Sequence, residues 1–219
     1  MKQALFSTIS SIFILLPSIA FAHHPLAGVP MESFSDGILS GVGHPLLGFD
    51  HLFFVALVGV VALFTGRRYL SPVAYITAML IGCMMMATGI ELPVKEAMVG
   101  LSLLGLGALV LSGQTPGFFP ALLTFFVFGL FHGSAFGDAI AAQEASVSNQ
   151  VLTGYLLGLG VIQYAIALTA GWVHLHVLRA TEPSFVNTRL VGAVVAGAGL
   201  FLTIENLEAF FFNLMGWVT

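Results

Sequence analysis

The chain has 219 residues, 58% of them hydrophobic and 7% charged, with a mean hydropathy of +1.02, and this excludes an ordinary water-soluble domain. The net charge of −4 argues against a nucleic-acid partner. A lipid-crossing helix needs about 20 apolar residues, so the length accommodates roughly six spans with short loops and no separate soluble domain.

Residues 1–22 read as an export signal. Lys2 supplies the positive start, residues 12–16 lie in an apolar centre, and Ala20-Phe21-Ala22 matches a small-x-small cleavage site. Cleavage would place His23 and His24 at the mature N-terminus, where a free amine and an adjacent imidazole chelate metals. An uncleaved first helix is the competing reading of the signal, and an ordinary chain end that of the two histidines.

Further along, apolar stretches fall near 48–65, 72–90, 95–112, 118–137, 150–176 and 190–215, separated by Gly, Pro and charged residues. Inside lipid every backbone N–H and C=O must be satisfied within the segment, and Leu, Phe, Ala and Gly suit helices rather than alternating barrel strands. The predicted fold is an all-α, polytopic membrane bundle, with six transmembrane helices in one domain over 23–219. Arg67 and Arg68 follow the first span, and Arg179 and Arg189 bracket the loop between the fifth and sixth. Placing both loops in the cytoplasm satisfies the positive-inside bias, with only Lys95 outside it. The chain then reads as a multi-pass protein of the bacterial inner membrane with its mature N-terminus periplasmic, and the loop carrying Asp138 and Glu144 faces outward. Gly100, Gly105 and Gly107, and Gly154, Gly158 and Gly160, fit close helix packing. The single cysteine, Cys83, supports neither a disulfide nor a cysteine metal cluster.

Ionisable groups are costly in a bilayer, so their depth is informative. His51 is sixteen residues from Arg67, His132 sixteen from Pro116, Gln163 sixteen from Arg179 and Glu205 sixteen from Arg189. At 1.5 Å per residue each lies about 24 Å from the inner end. Asp50 falls in that layer and Glu96 slightly above it. The predicted geometry is a polar cup opening toward the periplasm; the competing reading is that helix ends simply tolerate polar residues.

Two motifs carry most of the chemistry. His44-Pro45-Leu46-Leu47-Gly48-Phe49-Asp50-His51 sets two imidazoles and a carboxylate at the mouth of an apolar helix, a ligand set suited to Ni, Co, Zn, Cu or Fe. In an unbroken helix His44 and His51 would stand two turns, about 10 Å, apart. Either Pro45 and Gly48 bend the segment and bring the imidazoles together, or His44 is an outer capture point and His51 with Asp50 an inner one. The second motif, Phe131-His132-Gly133-Ser134-Ala135-Phe136-Gly137-Asp138, surrounds His132 with small residues that permit close approach. Met79, Cys83 and Met86 share a helical face and read as core packing, with soft copper ligation as the sharper alternative. His174 and His176 with Trp172 read as an interfacial belt, with an exit site as the alternative. Glu91 reads as a loop cap, and Glu208 with residues 210–212 as an interfacial end.

The segment HPLLGFDH resembles the HPxxGxDH signature of the HupE/UreJ family of metal permeases associated with hydrogenase and urease maturation. FHGSAFG resembles that family's HGxAHG segment, and Glu96 with Ser102, within 96–107, matches its acidic third-helix start. The likeness covers essentially the mature chain. It implies import of Ni²⁺, or of Co²⁺, ahead of Cu or Zn, with the ion as substrate and no permanently bound cofactor. The matched positions are His44, Asp50, His51, Glu96 and His132, and the implied partners are the lipid bilayer and cytoplasmic metallochaperones of hydrogenase or urease maturation. Phe136 stands where the family commonly carries a second histidine, and Gln163 where one is expected in the fifth span. Asp138, Gln163 and Glu205 would supply oxygen in their place. The expected protein is therefore a permease and not an enzyme, with no nucleotide-binding loop. A membrane-embedded metalloenzyme and a non-catalytic metal-binding assembly protein are the alternatives.

Overall fold

The computed structural model describes residues 30–141 and 147–217, so the predicted signal peptide, His23, His24 and Glu144 lie outside the described residues. Within them the chain forms seven α-helices and no strand: α1 (Phe34–Leu47), α2 (Phe49–Leu63), α3 (Ser71–Ala87), α4 (Lys95–Leu111), α5 (Phe118–Ala141), α6 (Asn149–His176) and α7 (Val186–Leu214). The all-α expectation holds, and each of the six expected apolar stretches coincides with one of α2 to α7.

Local chemistry sets the helix starts. At α1 the Ser33 hydroxyl accepts from the Asp36 N–H at 3.2 Å while the Asp36 carboxylate accepts from the Ser33 N–H at 2.9 Å, a reciprocal capping box. Pro72 lies in the first turn of α3, where its missing N–H costs nothing. Ser148 caps α6 by accepting from the Val151 N–H. The sequence reading did not anticipate α1: three glycines and Pro45 interrupt its apolar run, and the helix is held by packing against α6.

Gly48 is extended (φ −84°, ψ 98°), and its N–H donates to the His44 carbonyl at 3.0 Å while its own carbonyl accepts from the Leu52 N–H at 2.9 Å. One residue thereby closes α1 and opens α2, with the axes bent by 82°. Among the described residues three helices, α5, α6 and α7, are long and apolar enough to cross a bilayer, or up to four candidate spans if the bent α1–α2 pair is one broken span. α3 is a shorter apolar helix.

The helices pack in close pairs through glycine. Gly37 and Gly41 of α1 lie on the α6 backbone at Val151 and Tyr155, so α1 runs with α6; past the bend, α2 crosses α6 in the same general sense, with Gly59 on Ala167 and Leu63 near Gly171. Gly129 and Gly133 of α5 meet α3 at Tyr75 and Met79, again in parallel. Gly100 meets Thr203 and Gly107 meets Ala196, so α4 and α7 are antiparallel. Lipid provides no hydrophobic drive between helices, and backbone approach through small residues supplies dispersion contact in its place. Met79 and Cys83 are buried in this packing, and Met86 lies against Gly137.

The two α4 glycines separate packing from composition. A methyl at Gly107 would stand 2.5 Å from the Ala196 nitrogen, whereas one at Gly105 meets nothing within 4 Å, so Gly105 is not part of the packed face the sequence assigned it to. Gly107→Ala should cost about 1–3 kcal/mol of stability through overpacking. Gly105→Ala should cost nothing. Thermal unfolding of the two variants in the same detergent checks this, and equal melting temperatures would refute the packing account.

Candidate metal site

The break at Gly48 positions the site. It turns α2 across the end of α1 and brings the His44 and His51 rings to 6.3 Å between centroids, edge to face, where an unbroken helix would leave them about 10 Å apart. The bend is therefore the alternative that the segment adopts. A methyl at Gly48 would approach Asp50 Oδ1 and His51 Cδ2 to 3.2 Å, so a side chain there would press directly on the two residues of the site.

Around this corner, α5 contributes His132. His51 Nδ1 and His132 Nδ1 are 2.8 Å apart, and His132 Nε2 is 2.9 Å from the Ser102 hydroxyl on α4. His51 Nε2 faces Asp50 Oδ2 at 3.6 Å. His44 Nδ1 lies 3.0 Å from the Tyr155 hydroxyl of α6, which donates to the Phe136 carbonyl at 2.9 Å. His51, His132, Ser102 and Tyr155 are buried, while the Asp50 side chain keeps 24% of its surface and forms the wetter edge. Aromatic rings wall the cluster: Phe136 lies 4.1 Å from the His51 ring and 5.0 Å from His44, and Phe54 stacks on His132 at 4.5 Å.

The other predicted ligands are placed differently. Glu96, at the start of α4, is exposed but within electrostatic reach of Asp50 and Asp138. Asp138 is engaged by Lys95 Nζ at 2.6 Å, and the same ammonium binds Glu91 at 2.8 Å. This bridge accounts for Lys95, the one cation outside the arginine pattern, and ties Asp138 to the rim. Gln163 is fully buried, and neither its Oε1 nor its Nε2 has a hydrogen-bond partner among the described residues. Glu205 is exposed on α7, which packs chiefly on α4, and it does not join the cluster. Among the described residues no group of three or more His, Cys, Asp or Glu is arranged to hold a metal ion, so the expected many-ligand cup is reduced to imidazoles paired with one another beside Asp50. His23 and His24 lie outside the described residues.

At the opposite end, His174 is buried and bonded to the Thr188 hydroxyl at 2.9 Å, and His176 is stacked on Trp172 at 5.2 Å. Sequence reasoning passed over Tyr155 and Tyr75. Tyr155 anchors His44; Tyr75 lies edge-on to His132 at 5.9 Å, and its hydroxyl is buried without a partner among the described residues. No local pattern marks either, because each acts across helices distant in sequence.

The family described as HupE / UreJ protein matches residues 11–202, a range that includes α1 to α6 and every residue of the cluster but stops short of Glu205. A curated relative, "Protein HupE" of Rhizobium leguminosarum bv. viciae, is 31% identical over 196 residues, covering 87% of this chain and 93% of its own. No solved structure matches. With the cluster lying inside a match of that extent, the chain belongs to the HupE/UreJ family.

Proposed function

We propose that this protein is a secondary permease that imports a divalent transition metal, Ni²⁺ first and Co²⁺ second, from periplasm to cytoplasm. The observation that carries the reading is the convergence of His44, Asp50, His51 and His132 from three helices on the α1–α2 break. Imidazole and carboxylate at the end of an apolar bundle form a donor set for such ions. Glu96, at the start of α4 and within electrostatic reach of Asp50, would add a carboxyl oxygen at the mouth of the path. Inward of the pocket, the unpartnered Gln163 amide and Tyr75 hydroxyl offer weak neutral oxygens for onward passage. Gln163 is eight residues past Tyr155, about 12 Å deeper along α6.

Six crossings after cleavage of residues 1–22 suit the packing. In a chain that crosses alternately, the first and fifth spans run parallel, as do the second and fourth, while the third and sixth run antiparallel. Those are the senses of α2 with α6, α3 with α5 and α4 with α7. Arg67 lies over Phe118 at 4.6 Å and Arg189 donates to the Leu111 carbonyl at 2.9 Å, so the arginine-bearing ends of α2 and α7 lie against the two sides of the α4–α5 turn, opposite the Lys95 rim. That side is the cytoplasm by the positive-inside bias, which places the mature N-terminus in the periplasm of the bacterial inner membrane. The membrane potential supplies about 2.3 kcal/mol per charge per 100 mV, and capture by a cytoplasmic metallochaperone of hydrogenase or urease maturation would keep the gradient inward.

A catalytic zinc-type site keeps three protein ligands on its metal. The pairing of imidazoles with each other suits a cargo that is handed on, which favours the permease over a metalloenzyme. Accumulation of Ni²⁺ and Co²⁺ in proteoliposomes containing the full chain tests the reading. Uptake above empty liposomes, driven by an inside-negative potential, is expected; absence of uptake for both ions would defeat it and leave an assembly role.

A further inference from the structure

A buried ammonium stands at the head of α4, at the end of the bundle opposite Arg67 and Arg189. Lys95 Nζ donates to Asp138 Oδ1 at 2.6 Å and to Glu91 Oε1 at 2.8 Å. The lysine side chain keeps 12% of its surface, whereas the Asp138 and Glu91 side chains keep 44% and 61%. The cation is packed inward, and its two carboxylates stay open to water.

This bridge lies on the approach to the pocket. Asp138 follows His132 by six residues on α5, about 9 Å further toward the Lys95 end. Glu96, next to Lys95, is within electrostatic reach of Asp50, Asp138 and the Lys95 ammonium at once, so the bridge and the pocket carboxylate share one field. The backbone holds the lysine there at a cost. Val94 is in the left-handed region at φ 52°, which a β-branched side chain rarely adopts. The Leu92 N–H donates to the Ser134 hydroxyl at 3.4 Å, which fastens the segment to α5 two residues past His132.

A tethered ammonium competes for its carboxylates at a local concentration set by its own stem. A free monovalent cation brings the same charge without the tether, while a divalent ion at the same distance gains twice the Coulomb energy. We propose that Lys95 is a specificity-determining counter-cation at the outer mouth, which holds Asp138 against monovalent cations and yields it to a divalent ion bound for Asp50. The ion's onward course rests on the permease reading; the exchange at the mouth needs no transport.

Acetylation tests that exchange directly in the unaltered full chain in detergent. Lys2 and Lys95 are the only lysines of the sequence, so mass spectrometry reads the Lys95 peptide separately after treatment with acetic anhydride. Co²⁺ should speed Lys95 modification by about tenfold, and Na⁺ at equal ionic strength should leave the rate unchanged. A Lys95 rate indifferent to Co²⁺, or accelerated equally by Na⁺, would overturn the proposal. In Co²⁺ uptake, Lys95→Met should lower KM by about tenfold and make Na⁺ an inhibitor where N-methylglucamine at equal ionic strength is not. Both carboxylates remain hydrated in that variant, so the fold is kept. Asp138→Asn should raise KM instead, and Lys95→Arg, which keeps the charge, should retain the wild-type indifference to Na⁺. A bridge that only fastened α4 to α5 would shift KM in the same sense for Lys95→Met and Asp138→Asn, and that result also refutes the proposal. If the wild type moves no Co²⁺, the permease reading fails alone, and the acetylation rates still decide the exchange.

Discussion

Asp50→Asn should reduce metal uptake by at least about 100-fold, and His51→Ala should do the same, with the protein still inserted and folded. The asparagine has almost the size and shape of aspartate, so what it removes is the negative charge. Near a protein surface a unit pair of charges 4 Å apart interacts by about 4 kcal/mol, and a divalent ion doubles that. Desolvation of the ion offsets part of it, yet about 1.4 kcal/mol is already tenfold in binding. Asp50 is the only carboxylate placed against a pocket imidazole among the described residues, and Lys95 already engages Asp138, so no neighbour replaces it. His51→Ala removes the ring that joins Asp50 to His132. It also leaves His132 Nδ1 buried without its partner, which costs about 1–3 kcal/mol of stability. Initial rates of Ni²⁺ entry into proteoliposomes, normalised to inserted protein, measure both effects. Wild-type rates for Asp50→Asn would remove the carboxylate from the translocation path.

Some of this site is legible before folding. Pro45 and Gly48 announce a break, and the break decides whether His44 and His51 can share an ion; the residues say that a bend is available, while the 82° and the 6.3 Å follow from packing on α6. The depth count brought His51 and His132 to one level because their helices do meet there. It carries no azimuth, and Glu205 stands exposed on α7 away from the cluster, because rotation about a uniformly apolar helix has no signal in composition. Asp138 failed for a different reason. Glu91, in the loop before α4, and Asp138 on α5 both bind the ammonium of Lys95 at the head of α4, a contact across α4 and α5 that sequence spacing does not show. Tyr155 and Ser102 needed tertiary pairing to acquire meaning.

The broken helix also explains how a small bundle keeps polar groups at depth. In the His51–His132–Ser102 chain the polar side chains pair with one another, which lets the cluster be buried. Gln163 is the exception. An unpaired buried amide costs about 1–3 kcal/mol, a cost retained at a position that lies inward of the cluster on the same helix as Tyr155.

Phe136→His should then tighten metal binding by about tenfold or more and slow its passage. The Phe136 ring lies between the two pocket imidazoles, 4.1 Å from His51 and 5.0 Å from His44, on the α5 turn that follows His132. Its site is fully buried, so an imidazole of similar size placed there has the pocket as its nearest polar company and would complete a three-imidazole set beside Asp50. Borderline metals favour such a set, and the gain should grow from Co²⁺ to Ni²⁺. A tighter outer site without matching inner ligands deepens one well on the path. KM for Ni²⁺ is therefore expected to fall while Vmax falls with it, because release toward Gln163 becomes the slow step. Ni²⁺ and Co²⁺ titration calorimetry on the purified variant, paired with uptake kinetics, reads the two effects separately. An unchanged affinity for both ions would mean that the ring at this position does not face the cation, and the assignment of the pocket's inner wall would fall with it.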